Sequence, residues 1–215
     1  MSGEPRDPGG RDGAPPSERL TDERGLTATL AAVLHEIGEV DRAVYRAVAG
    51  TPTPILDGPM HALTRAADHS KLWFATAGVM AAVGGRTGRR AALTGLAAIG
   101  LTSAVVNLPM KVAGSRHRPD RDAAGVPASR RVEMPASSSF PSGHSASAAA
   151  FAAAVSSVVP ALGAPLGCAA AAVGYSRVHA GVHYPGDVIA GTIVGAAIGE
   201  AVATAARRVR RRRRR

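Results

Sequence analysis

The chain of 215 residues has a single cysteine, Cys168, set in an alanine run. A disulfide framework and a cysteine-ligated zinc site are therefore both excluded within one chain. The thiol reads as a small buried apolar side chain. Aromatic residues make up only 3% against 46% hydrophobic residues, too few large side chains for the usual core of a water-soluble domain. No apolar run occurs in the first 25 residues, so no cleavable secretory signal is expected. Acidic residues are outnumbered, 16 against 26 Lys and Arg, for a formal charge of +10. Eight of those arginines lie in residues 207–215, which leaves the rest of the chain close to neutral. No stacking aromatic or groove-reading motif accompanies this run, so nucleic acid is not an expected partner. Anionic lipid headgroups are the cheaper one, at about 1 kcal/mol per basic residue near the surface.

What remains is apolar and small. Residues 1–25 are rich in Pro, Gly and charge without periodicity and read as a disordered polar segment. Over residues 26–50, Leu30, Val33, Leu34, Ile37, Val40, Val44 and Val48 recur at helical spacing, which predicts an amphipathic helix. It ends near Gly50, where Thr-Pro-Thr-Pro follows. Its charges suit a place at the membrane interface or against a bundle. Residues 51–206 form the predicted helical core, with apolar stretches at 72–85, 91–110, 145–159, 161–175 and 188–206. A bilayer crossing takes about 20 apolar residues; 91–110 and 188–206 meet that length and the others fall short. Gly191, Gly195 and Gly199 put one small-residue face along the last stretch, suited to close helix packing.

The expectation is an all-α integral membrane bundle of about five to six core helices, multi-pass in the cell membrane. Arg86, Arg89, Arg90 and the 207–215 poly-Arg tail belong on the cytoplasmic side. The segments 111–144 and 176–187 then face the extracytoplasmic side. Lys111, Arg116, Arg118, Arg121, Arg130 and Arg131 in the first of them run against that assignment unless they have another task.

Three clusters supply one. Lys111-to-Pro119 reads KVAGSRHRP, Pro141-to-His144 reads PSGH, and Ser176-to-Asp187 reads SRVHAGVHYPGD. Cations near a bilayer are costly unless paired, so Lys111, Arg118 and Arg177 together predict an anion. Gly143 lets backbone N–H groups approach an oxyanion and Ser142 adds a hydroxyl, both before a helix N-terminus. These residues make a phosphate cradle. Pro185 suits the first turn of a helix, with Asp187 within it. A carboxylate four residues beyond His183 can fix its tautomer and raise the basicity of its other nitrogen. That nitrogen can attack phosphorus, and His144 can protonate the departing oxygen and then activate water.

In this order, K-x6-R-P, P-S-G-H and S-R-x5-H-x3-D resemble the three-part motif of the type 2 phosphatidic acid phosphatase superfamily. That group includes membrane lipid phosphatases, soluble bacterial acid phosphatases and vanadium haloperoxidases. The matching residues are Lys111, Arg118, Pro119, Pro141, Ser142, Gly143, His144, Ser176, Arg177, His183 and Asp187, within a likeness covering residues 65–206. The resemblance implies an all-helical bundle, a phosphohistidine on His183, acid catalysis by His144, and neither a metal nor another cofactor. Members usually have six core helices; here the charged 27–49 segment fills the first position. The implied function is hydrolysis of a lipid phosphomonoester or diphosphate: a polyprenyl diphosphate, phosphatidic acid or phosphatidylglycerol phosphate. Two alternatives stand beside it, a vanadium-dependent haloperoxidase-like enzyme and a non-catalytic scaffold that binds anionic lipid.

Blander readings apply elsewhere. Asp68, His69 and Ser70 precede a helix and read as its N-cap, with a contribution to the pocket as the alternative. His117 is expected to face solvent, His179 to stand outside the chemistry, and Glu200 to pair with nearby arginines or to snorkel.

Overall fold

The computed structural model describes residues 16–111, 115–213 and 215. Among these the fold is all helical, with no strand. The chain divides into two units, residues 1–40 and 41–215. Residues 1–15 of the segment expected to be disordered lie outside the described residues. Helix α1 runs Pro16–Gly50. Proline at a first helical position is already set for the helix, and Glu18, Arg19, Glu23 and Arg24 are good helix formers. In the first unit Leu30, Val33, Leu34, Ile37 and Val40 are all exposed.

The second unit holds the last turns of α1 and six further helices. These are α2 (Pro54–Ala66), α3 (Lys71–Val83), α4 (Gly85–Val105), α5 (Gly143–Ser156), α6 (Gly163–His179) and α7 (Pro185–Arg212). The 91–110 stretch is not one straight span. α4 ends at Val105 and a π-helical turn, Val106–Met110, carries the chain on through Pro109, whose missing N–H interrupts the regular ladder. The arginine tail is not a separate segment either, since α7 continues through Arg212. Arginine favours helix, and cations suit a helix C-terminus.

α5 is the hub, packed against α4, α6 and α7. Its run Ala146, Ala148, Ala150 and Ala154 is fully buried beside Phe151 and Val155. Alanine can be buried on every side of a helix only if the neighbours come close. Gly191, Gly195 and Gly199 allow it: a Cβ on each would stand 2.4, 2.0 and 2.5 Å from the carbonyl oxygens of Ser142, Ala146 and Ala150. The predicted packing face is therefore the α5–α7 contact. Trp73 and Phe151, with ring centroids 5.4 Å apart, fill the wider space between α3, α4 and α5.

Large apolar side chains point the other way. Phe74, Val79 and Val83 of α3, Leu93 and Leu101 of α4, and Ile189 and Ile193 of α7 are exposed around this alanine-glycine interior. One helix among the described residues, α7, is long and apolar enough to cross a membrane by length and composition. Two smaller expectations are corrected. Cys168 is exposed, because it lies on an outward face of α6. Glu200 accepts from the Ser157 hydroxyl at 3.0 and 3.1 Å instead of pairing with arginine, because α7 runs beside the end of α5.

Candidate active site

The three sequence clusters meet at one end of the bundle. Lys111 follows the π-helical turn, Arg118 lies in the loop beyond it, and Gly143 and His144 open α5. Arg177 is in the last turn of α6, and His183 sits in the short connection to α7. Lys111, Arg118, Gly143, His144, Arg177 and His183 all line a single cavity of about 490 Å³. Phe74 of α3 and Leu96, Ile99 and Gly100 of α4 add apolar surface to the same cavity, alongside the hydroxyls of Ser103 and Ser147.

His183 is 2% exposed and held at both ring nitrogens. The connection that carries it turns sharply at Gly181, where φ is +71° and a Cβ would stand 2.8 Å from Arg121, so only glycine fits. Nδ1 stands 3.5 Å from Asp187 Oδ2 and Nε2 stands 3.3 Å from Arg118 Nη1. A guanidinium has no acceptor, so Nε2 presents its lone pair and the proton sits on Nδ1 facing the carboxylate. Burial is the largest cause pushing the His183 pKa down to about 4. The Asp187 hydrogen bond opposes it, while the charges of Arg118 and Arg177 add to it. The imidazole is therefore neutral at pH 7.

Asp187 is fully buried and fully engaged. Its Oδ2 accepts from the Ser139 hydroxyl at 2.5 Å and from the Tyr184 backbone N–H at 2.9 Å. Its Oδ1 accepts from Arg116 Nη1 at 2.9 Å. Arg116 donates its other arm to Asp41 of α1 at 2.5 Å and lies over the Tyr184 ring at 4.3 Å. Asp41 in turn accepts the Gly186 N–H at 2.7 Å. The start of α7 is thus pinned by a chain of charge that ends in the second half of α1.

The cations are arranged as donors around the cavity. Arg118 is braced by the Ser137, Ser138 and Val182 carbonyls at 2.9, 3.2 and 2.8 Å, and Lys111 donates to the Ser137 hydroxyl at 2.9 Å. Arg177 is 2% exposed; Nη1 donates to Thr64 Oγ1 at 2.5 Å, while Nε is a buried donor without a hydrogen-bond partner. An orphaned buried donor beside a cavity is costly and suits an anion. The N-terminus of α5 adds its dipole to the same space.

Ser142 does not join them. Its hydroxyl is buried and accepts from Ser145 Oγ at 2.9 Å and from the Ser145 N–H at 3.4 Å, so it caps α5 and does not line the cavity. Nor do Asp68, His69 and Ser70 cap α3; no side-chain cap bond forms there. They make a 3-10 turn in which His69 and Ser70 both have positive φ, 55° and 60°, a conformation non-glycine residues rarely adopt. His69 and Ser70 line the cavity and Asp68 Oδ1 lies 2.9 Å from His144 Nε2.

The remaining histidines and arginines have structural settings. His117 is exposed. His179 is buried away from the cavity, within 3.0 Å of Thr53 Oγ1 and 3.3 Å of Asp57. Arg130, also buried, bonds Asp57 at 2.8 Å and reaches the carbonyls of Val48, Ala49 and Thr51 at the end of α1. Arg121 bonds the Val132 carbonyl and Arg131 bonds Asp122 and the Val126 carbonyl. Arg116, Asp41 and Ser139 were not singled out by sequence reasoning as part of the site. Arg116 lies inside the first motif and Ser139 just before the second, which was the available signal; Asp41, on α1, offered none.

A search of curated proteins finds no match. Among solved structures, the chain is similar to the first transmembrane PAP2 type phosphatidylglycerolphosphate phosphatase from Bacillus subtilis. The TM-score is 0.66 at 24% identity, covering 85% of this chain and 92% of that one. It is also similar to LpxE of Aquifex aeolicus, with a TM-score of 0.60 at 23% identity, covering 75% and 93%. At these identities the likeness is one of fold. A family model describing the PAP2 superfamily matches residues 90–211, more than half of the chain and all three clusters. The chain belongs to the PAP2 superfamily.

Proposed function

We propose that this protein is an integral membrane phosphatase that removes phosphate from a lipid phosphomonoester or diphosphate. One observation carries the reading: His144, His183 and three cations line one cavity together with the apolar side chains of Phe74, Leu96 and Ile99. A charged headgroup and an apolar tail fit such a cavity together. The exposed Leu, Ile, Val and Phe side chains around an alanine-glycine interior support burial of the bundle in lipid. The two similar proteins of known structure, one of them a phosphatidylglycerolphosphate phosphatase, are consistent with it.

The chemistry follows from the site. His183 Nε2 attacks phosphorus, forming a P–N bond as the P–O bond to the lipid breaks. His144 gives a proton to the leaving oxygen. It then takes one from the water that breaks the P–N bond, releasing phosphate and restoring both imidazoles. Lys111, Arg118, Arg177 and the Gly143 backbone stabilise the phosphoryl oxygens in flight. Asp187 holds the His183 tautomer and stabilises the charge that develops on the ring.

The site is assigned to the extracytoplasmic side. Arg86, Arg89 and Arg90 at the start of α4 share a second cavity with Val202 and Ala206 near the end of α7. The other half of α4 and the connection just before α7 line the cavity that holds the proposed catalytic residues. Basic residues face the cytoplasm, so the C-terminus lies there, with anionic headgroups around its arginines, and the site opens opposite. The cations of 111–144 no longer argue otherwise, since Arg116, Arg121, Arg130 and Arg131 are engaged within the fold. Phosphate release from a panel of lipid phosphates by detergent-purified protein, with His183→Ala as control, tests the function. Release that depends on His183 supports it; binding without turnover favours a lipid-binding scaffold.

A further inference from the structure

The carboxylate of Asp68 lies outside all three motif clusters, yet it meets a histidine of the second. Asp68 Oδ1 stands 2.9 Å from His144 Nε2 and 3.8 Å from Arg177 Nη1. The turn that presents it is held by two consecutive residues of positive φ, His69 and Ser70. Rarely populated backbone of this kind persists where surrounding contacts over-determine it, and it gathers at functional sites. The same two residues line the cavity beside His144. His144 therefore has a carboxylate partner, as His183 has Asp187.

Resting on the phosphatase reading above, we infer that Asp68 is a positioning residue for His144. By accepting from Nε2–H it orients the ring and leaves Nδ1 to pass the proton to the leaving oxygen. A carboxylate on one imidazole nitrogen raises the basicity of the other and stabilises the protonated ring. The ring can then serve as acid when the P–O bond breaks and as base when water attacks the phosphohistidine. The site thus has two imidazole–carboxylate pairs, one at the attacking atom and one at the departing atom.

An acid catalyst matters in proportion to how poor the leaving group is. A lipid alkoxide needs its proton; p-nitrophenolate leaves without one. The test is kcat/KM, which reports the first phosphoryl transfer, on a short-chain phosphatidic acid and on p-nitrophenyl phosphate. Asp68→Asn is expected to lower kcat/KM for the alkyl substrate by about 10–100-fold, and for the aryl substrate by far less, as His144→Asn also does. In the His144→Asn background, Asp68→Asn is expected to add less than about twofold, because the two act as one unit. Should asparagine impair folding, Asp68→Ser repeats the cycle with a smaller side chain. Equal losses on the two substrates, losses that multiply in the double variant, or no loss at all would overturn the assignment while leaving the phosphatase reading intact. If the wild-type protein releases phosphate from neither substrate, that reading fails and this one with it.

Discussion

Arg118 Nη1 stands 3.3 Å from His183 Nε2. The contact leaves the imidazole one tautomer, with the lone pair on the nitrogen that faces the cations and the proton on the nitrogen that faces Asp187. The imidazole we propose as nucleophile and the cations proposed to hold its target are thus positioned together within the fold.

That relationship has a pH signature. With the His183 pKa lowered from its ordinary value to about 4, the neutral, nucleophilic form persists well below pH 6.5. Protonation removes activity, so the acid limb of kcat/KM for the free enzyme is expected near pH 4. Replacing Arg118 by Gln removes one lowering influence and moves that limb upward, besides reducing the rate by about 100–1,000-fold. A limb that stays in place in the variant contradicts the coupling.

Asp187→Asn keeps the shape of the side chain and removes its charge. The tautomer of His183 is then no longer enforced, and kcat is expected to fall by on the order of a thousandfold or more. Binding of a lipid phosphate, measured by equilibrium titration, changes much less because the cations are untouched. Equal loss of binding and turnover would refute the role given to Asp187.

An anion cradle built from Lys111, Arg118 and Arg177 should accept vanadate in place of phosphate. Inhibition at or below millimolar vanadate is expected. Activity after EDTA treatment is expected to persist, because the proposed chemistry runs through the chain's own imidazoles, cations and backbone N–H groups. Vanadate insensitivity, or strict dependence on added Mg²⁺, would count against the site as described.

Packing is testable apart from activity. Gly195→Ala places a methyl group against the Ala146 carbonyl, where an ideal Cβ would stand 2.0 Å away. Forcing α5 and α7 apart is expected to cost about 1–3 kcal/mol, read as a lower unfolding midpoint in detergent. Gly100→Ala, where a Cβ meets nothing within 4 Å, serves as the neutral comparison.

The motif residues were legible in the sequence because their chemistry is carried by residue type and spacing, and the structure brings Lys111, Arg118, Gly143, His144, Arg177 and His183 to one cavity. Helical character was legible from periodicity, as was the glycine face of α7. What escaped depends on which distant segments touch. Asp41 offered no signal and Asp68 read as a cap with a pocket role as the alternative; only packing shows that one braces Arg116 and the other meets His144. Ser142 illustrates the reverse: a hydroxyl in the right motif turns to its own helix. Cys168 was misjudged because a run of alanine gives no hint of which helix face is covered.

The central claim is that His183 carries the phosphoryl group, and trapping that group tests it most directly. The purified protein, mixed with a lipid phosphate labelled at the transferred phosphorus, is quenched in base within milliseconds and mapped by peptide. A base-stable, acid-labile label on the peptide containing His183, lost in His183→Ala together with phosphate release, is the predicted result. Label on another residue, or phosphate release undiminished without the imidazole at position 183, would contradict the account.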